Sequence, residues 1–283
     1  MIEPCFCRDR IRLIGLQPFC LLYNVEFQWY HYAACLLAGL LAGIINTLAG
    51  SGSLITLPIL MFLGLPATIA NGTNRVGAIA TSVIGAKTFL KKEKLPRHNL
   101  YWIIIPALVG AILGASIAVD INEEVLYKII GFVMLIMLVV ILIRPKRFLK
   151  IDHSSKSNTS RALLVLWMFV LGIYGGFIQA GIGIFLIVTF VLLINVTLNQ
   201  ANLLKLILVL IFTIPVLFIF ILHDQVDWVF GILLAFGQGV GAWLAARFAT
   251  NYANADIWVR RLLIIIVVLS ILKLFNIPES LGL

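Results

Sequence analysis

The sequence predicts an all-α polytopic membrane protein made of two inverted-topology repeats, each a broken or re-entrant hairpin followed by three transmembrane helices. Three observations carry this. Hydrophobic residues make up 62% of the 283 positions and charged residues 12%, about half the roughly 25% of an ordinary soluble domain. Apolar runs of crossing length recur with basic loops between them, which fits helices and not the alternating segments of an outer-membrane barrel. Two longer apolar runs, 32–63 and 163–194, are each interrupted by glycines at matching places, a pattern that points to a transporter's binding site.

Residues 1–29 read as an N-terminal extension. Arg8, Arg10 and Arg12 followed by an apolar stretch resemble a signal peptide, but Pro18 interrupts it and no small-residue cleavage site follows. An over-long start is the other reading, so whether 1–28 belongs to the mature protein stays open. Cys5-x-Cys7 has no second pair or histidine at ligand spacing, so no metal site is expected.

The first repeat covers 30–145. Its long run is about 30 residues where one crossing takes about 20. It therefore reads as a re-entrant hairpin or two short tilted helices turning at Gly50-Ser51-Gly52-Ser53. Backbone that leaves a helix at this depth must be satisfied by protein or by a water-filled cavity. The span 66–86 follows with an unusually polar start, and its proline is pre-set for the first helical turn. Arg75 lies nine residues past Pro66, about 13 Å deep at the helical rise. Asn71, Asn74, Arg75 and Ser82 share one helix face. Spans 101–119 and 125–143 complete the half. Gly110 and Gly114 in the former suit close helix packing and leave a homodimer open.

A linker at 146–161 leads to the second repeat, 162–277, and a tail at 278–283. The second long run turns at Gly181-Ile182-Gly183, and spans 203–222, 228–246 and 258–274 follow. An offset of 131 residues lays Ala49, Gly50 and Gly52 on Ala180, Gly181 and Gly183, Asn71 on Asn202, and Gly110 on Gly241. The same offset puts Lys205 on Asn74 and Thr213 on Ser82. Hydropathy gives about eight spans, or ten if the hairpins cross.

Charge orients the halves. Loop 87–98 carries Lys87, Lys91, Lys92, Lys94 and Arg97, whereas its repeat counterpart, 223–227, carries Asp224 and Asp227 and no Lys or Arg. Loops 87–98 and 144–161 are expected in the cytoplasm. Equivalent loops of opposite character imply opposite sides, hence an inverted repeat.

Each half thus places one cation at similar depth among amides and hydroxyls, and every Asp and Glu lies in a tail, in a loop or beside one. Such a site suits a small anion, helped by helix N-termini aimed at it. The expected binding residues are Gly50, Ser51, Gly52, Ser53, Asn71, Asn74, Arg75, Gly181, Gly183, Asn202 and Lys205, with Asn46 and Gln179 flanking the turns. Structural alternatives stand beside them. Lys205 is near enough a helix start to snorkel to the headgroups, Arg75 could hold backbone carbonyls of the broken hairpin, and Asn71 and Asn202 could brace the turns.

A buried carboxylate proton relay is unavailable. The four histidines fall at or beyond span ends, and no phosphate-binding Gly-x-x-x-x-Gly-Lys-Ser/Thr motif appears. No cofactor is expected, and no nucleic-acid partner, since most of the net charge of +9 sits in two short loops; the expected partners are the lipid bilayer and the small anion. An intramembrane enzyme would need a histidine or carboxylate beside Ser51 or Ser53. A passive structural subunit would have no reason to keep two polar helix starts.

These residues carry a resemblance. Residues 43–58 read GIINTLAGSGSLITLP, Gly64-Leu65-Pro66 and Ala70-Asn71-Gly72-Thr73-Asn74 follow, and 175–186 read GGFIQAGIGIFL. Over residues 30–275 or so the chain resembles the TauE/SafE family of sulfite exporters. The resemblance implies a bacterial inner-membrane carrier for small sulfur-containing anions such as sulfite or sulfonates. Ile182 and Ile184 depart from a more glycine-rich second turn, and Thr189 stands where the first half has Pro58.

Overall fold

The computed structural model describes residues 28–91, 93–95, 100–143, 160–248 and 255–274. The expected N-terminal extension, most of the linker and the C-terminal tail lie outside them. The described residues form ten α-helices and no strand: α1 (Trp29–Ala49), α2 (Ser53–Phe62), α3 (Ala67–Phe89), α4 (Tyr101–Val119), α5 (Glu123–Ile143), α6 (Arg161–Phe177), α7 (Ile182–Leu193), α8 (Leu198–Leu222), α9 (Trp228–Phe248) and α10 (Ala255–Leu274). Five of these, α1, α4, α5, α8 and α9, are long and apolar enough to cross a bilayer. α3 has the length, at 23 residues, but its polar first half lowers its hydropathy.

Both long runs break at their glycines. Gly50 takes φ +77° and its N–H bonds back to the carbonyls of Asn46 and Ile45, closing α1 with the left-handed residue common at helix ends. Gly181 takes φ +71° at the start of α7. The arms are unequal, which hydropathy did not reveal. α1 has 21 residues and α2 has 10, so α1 can cross about 30 Å and α2 only about 15 Å. α6 and α7 have 17 and 12. The first arm is long because α1 starts at the membrane-interface residues Trp29 and Tyr30. The second is cut short by Gly64, at φ +98°, and by Pro66.

Two caps fix where the polar helices begin. Glu123 Oε1 accepts from the Ala67 N–H at 2.6 Å, so the acidic start of α5 caps α3. Thr197 and Gln200 form a capping box that extends α8 back to Leu198, five residues before the apolar run at 203.

The halves interlock. α1 packs on α9, α6 packs on α4, and α3 touches both α8 and α9. Each half's first helix therefore lies on the fourth helix of the other. Gly110 and Gly114 lie against Phe169 and Ile173 of α6, so this small-residue stripe is spent inside the chain. Ile105, Phe132, Phe218, Ile232 and Phe236 are more than half exposed, an apolar exterior that suits lipid.

At the centre the two glycine turns touch. A Cβ on Gly50 would sit 2.6 Å from the carbonyl carbon of Gly183, closer than atoms tolerate. Gly50→Ala should therefore cost more than the 1–2 kcal/mol of a left-handed alanine and lower the thermal melt of the detergent-solubilised protein by several degrees. Gly85→Ala serves as the control, because its new methyl would meet only the flexible tip of Leu206, at 3.0 Å. Equal melts for the two variants would contradict the close contact.

Candidate functional site

A helix that ends inside the protein leaves carbonyls without partners, and here side chains of the opposite half take them. At the end of α6, Arg75 of α3 donates from Nη1 to the Gly175 carbonyl at 2.6 Å and from Nη2 to that of Gly176 at 2.8 Å. Asn71 Nδ2 donates to the next carbonyl, Phe177, at 2.7 Å. At the end of α1, Lys205 Nζ of α8 donates to the Asn46 carbonyl at 2.8 Å. Each cation also leans on an amide of its own helix: Arg75 Nη2 on Asn71 Oδ1 at 3.2 Å, and Lys205 Nζ on Asn202 Oδ1 at 3.1 Å. Asn74 works within its own half. It accepts from Thr56 Oγ1 at 2.5 Å and donates to Ser53 Oγ at 3.1 Å, holding α2 against α3.

In the second turn, Gln179 has a left-handed backbone at φ +63°, uncommon without glycine. Its Nε2 donates to Thr213 Oγ1 at 2.9 Å, and the Tyr174 hydroxyl donates to the Ala180 carbonyl. Thr189, the departure from Pro58, closes onto the Phe185 carbonyl at 2.7 Å and accepts from Trp167 Nε1 at 2.9 Å, tying α7 to α6.

Between the turns lies a narrow cavity of about 10 Å³, room for one water-sized sphere. Its polar lining is Asn46, Ser53, Ser82, Gln179 and Lys205, with Gly50 and Gly183 at the turns. Ala78, Ile182, Leu206 and Val209 complete it. Lys205 is 1% exposed. An ammonium has three N–H donors, and two of them are used, on Asn46 and Asn202, leaving one for a ligand. Neither Lys205 nor Arg75 touches a carboxylate among the described residues, where the one ion pair is exposed Lys128 with Glu124. The result is a small site with one cation, hydroxyl and amide groups and no fixed anion.

The expected residues divide into two sets. Asn46, Gly50, Ser53, Gln179, Gly183 and Lys205 line the cavity. Asn71, Asn74, Arg75 and Asn202 brace the broken helices around it, while Ser51, Gly52 and Gly181 shape the turns. Arg75 is 0% exposed and lies 5.5 Å from the Phe220 ring centroid, away from the cavity. That is the carbonyl-holding alternative, with the carbonyls supplied by the other half's break. Ser82 was visible in the sequence only as a member of the polar face of α3. Neither Ser51 nor Ser53 has a histidine or carboxylate partner among the described residues, and no cluster of three metal-ligating side chains occurs among them.

A family profile described as sulfite exporter TauE/SafE matches residues 35–274, both turns and both cations included. The chain is 28% identical over 210 residues to a protein of Haemophilus influenzae named "Probable membrane transporter protein", covering 74% of this chain and 81% of that one. A Sinorhizobium protein, "Probable membrane transporter protein ORF9", is 26% identical over 250 residues, 88% and 94% of the two chains. The Escherichia coli K12 protein "Probable membrane transporter protein YfcA" is 26% identical over 212 residues, 75% and 78%. No solved structure matches.

Arg75→Gln removes the donors to Gly175 and Gly176. At 1.5–3 kcal/mol for a hydrogen bond to a charged group, the loss should reach about 3 kcal/mol and lower the thermal melt by several degrees. A melt equal to that of the wild type would remove Arg75 from the brace.

Proposed function

The chain belongs to the TauE/SafE family of membrane transporters, and we propose that it is a secondary transporter exporting a small anion, sulfite, a sulfonate or a related organic anion, by alternating access. The observation that carries this reading is Lys205, a cation lining the cavity between the two turns with no carboxylate beside it. An anion entering there meets the free ammonium N–H, the hydroxyls of Ser53 and Ser82, and the N-terminal ends of α2 and α7, which carry partial positive charge.

The halves are read as inverted repeats that rock about this site. Three features support that. Lys87 lies in the last turn of α3 and Lys91 and Lys94 follow it, whereas the equivalent loop after α8 carries Asp224 and Asp227. α1 packs on α9 as α6 packs on α4. The two cations serve each other's broken helices. The basic loops are placed in the cytoplasm and the protein in the bacterial inner membrane. A negative interior then favours anion exit by about 2.3 kcal/mol per charge per 100 mV, and a coupling ion is not required by any group described.

Proteoliposome flux of sulfite, thiosulfate, a short sulfonate and chloride tests the function. A saturable sulfur-anion flux should fall about tenfold or more in Lys205→Gln, the worth of one charged hydrogen bond. Undiminished flux in a folded Lys205→Gln would refute the cationic site.

Topology has its own check. With the native cysteines replaced, a cysteine at Lys94 should react with a membrane-impermeant maleimide only in inside-out vesicles. One at Asp224 should react only in intact cells or spheroplasts. Labelling of both from one side would rule out inversion.

A further inference from the structure

We infer that Ser82 and Gln179 determine which anions the cavity accepts, selecting an oxyanion with several oxygens over a halide. This rests on reading the cavity as the substrate site and adds to it the groups that would tell one anion from another.

Six buried side-chain polar atoms lack a hydrogen-bond partner among the described residues: Thr47 Oγ1, Ser51 Oγ, Arg75 Nε, Ser82 Oγ, Gln179 Oε1 and Gln225 Oε1. Of these, only Ser82 and Gln179 belong to the cavity lining. Ser82 is 0% exposed and Gln179 is 3% exposed, so bulk water does not serve them.

The hydroxyl of Ser82 is unused, as is that of Thr47 in α1, but only Ser82 lies on the cavity. A serine or threonine inside a helix commonly bonds the carbonyl four residues back. Thr88 does so onto Ile84, Ser116 onto Ile112 and Thr189 onto Phe185. Ser82 makes no such bond, and its proton remains free for a ligand.

Gln179 is held at the cavity by its backbone. A non-glycine residue at φ +63° is costly and persists where the surroundings impose it, commonly at binding sites. One end of the amide bonds Thr213 at 2.9 Å and the other is unused. As placed, the free end is the acceptor Oε1; turned end for end, Oε1 accepts from the Thr213 hydroxyl and the Nε2 donors face the cavity, which is the orientation an oxyanion requires. Thr213 is itself the repeat counterpart of Ser82, so one hydroxyl from each half serves this corner of the site.

Lys205 supplies charge, but an ammonium acts as a compact point charge and attracts chloride as readily as an oxyanion. Discrimination needs directional groups on separate walls. Ser82 on α3, Gln179 in the second turn and Lys205 on α8 provide three. A pyramidal or tetrahedral oxyanion can place a separate oxygen toward each. A halide has one centre and leaves polar groups unpaired, the circumstance in which sites discriminate most strongly.

The test uses the full-length protein in proteoliposomes, measuring the ratio of sulfite to chloride flux, with the shift of thermal melt on adding each anion in detergent as an equilibrium readout. Ser82→Ala deletes the hydroxyl, and Ser82→Thr restores one in the form the other half carries. Gln179→Asn tolerates the left-handed backbone while withdrawing the amide.

Ser82→Ala and Gln179→Asn should each lower the flux ratio about tenfold and abolish the sulfite-specific melt shift, and Ser82→Thr should recover part of both. A wild type that transports sulfite, with ratio and melt shift unchanged in both folded variants, overturns this inference alone. A wild type with neither flux nor melt shift for any anion overturns the substrate reading with it.

Discussion

Everything at the centre of this protein depends on one constraint: two helices end inside the protein, and the carbonyls at their ends need donors. Water and lipid cannot supply them there. The chain answers with side chains from the opposite half, so that Arg75 and Asn71 close the end of α6 and Lys205 closes the end of α1. The negative ends of two helix dipoles are matched by two positive side chains. The α1 break is also closed from within, by the Gly50 N–H on the Asn46 and Ile45 carbonyls, so Lys205 adds a second donor to a carbonyl already bonded. The carbonyls of Gly175, Gly176 and Phe177, by contrast, are met from the opposite half.

The same reciprocity leaves a residual asymmetry. The planar fork of Arg75 spans two successive carbonyls, and the Phe220 ring covers it. Around it the α8–α9 connection lies directly on α3, with Gly72 against the Gln225 carbonyl, Thr73 accepting from the Asp227 N–H at 2.9 Å and Gln225 donating to Val119 at 2.8 Å. Lys205 reaches one carbonyl with one of its three protons and keeps another for the cavity. Arginine saturates its break and lysine does not; that chemical difference is enough to place the cavity beside Lys205.

Much of this could be read from residues alone. The turns were legible because glycine alone takes positive φ freely, and Gly50 and Gly181 do so. The polar start of α3 was legible because amides and a cation are costly among lipid and are kept there for a reason. The unequal arms were not legible, because α1 begins at Trp29 and Tyr30, where the interface and not apolar periodicity decides the boundary. Gln179 was visible only as a neighbour of glycines, since nothing in a glutamine foretells a left-handed backbone. Arg75 and Lys205 looked equivalent because sequence gives depth and face. Which carbonyls lie within reach, and how many, is a matter of tertiary packing.

The absence of a carboxylate partner for Lys205 among the described residues then gains a mechanistic meaning. A resident Asp or Glu would neutralise the ammonium in every state and hold the cavity against other anions. Carbonyl and amide oxygens offer only partial charges, so they orient the ammonium without cancelling it. On the proposed reading, the substrate is the missing counter-ion. With a monoanion bound the site carries no net charge, and a low-dielectric interior tolerates it better than the empty, charged site. Rocking the halves with the anion bound is then easier than rocking them without it. On that reading, the same buried cation that meets the end of α1 would also favour movement of the halves with the anion bound.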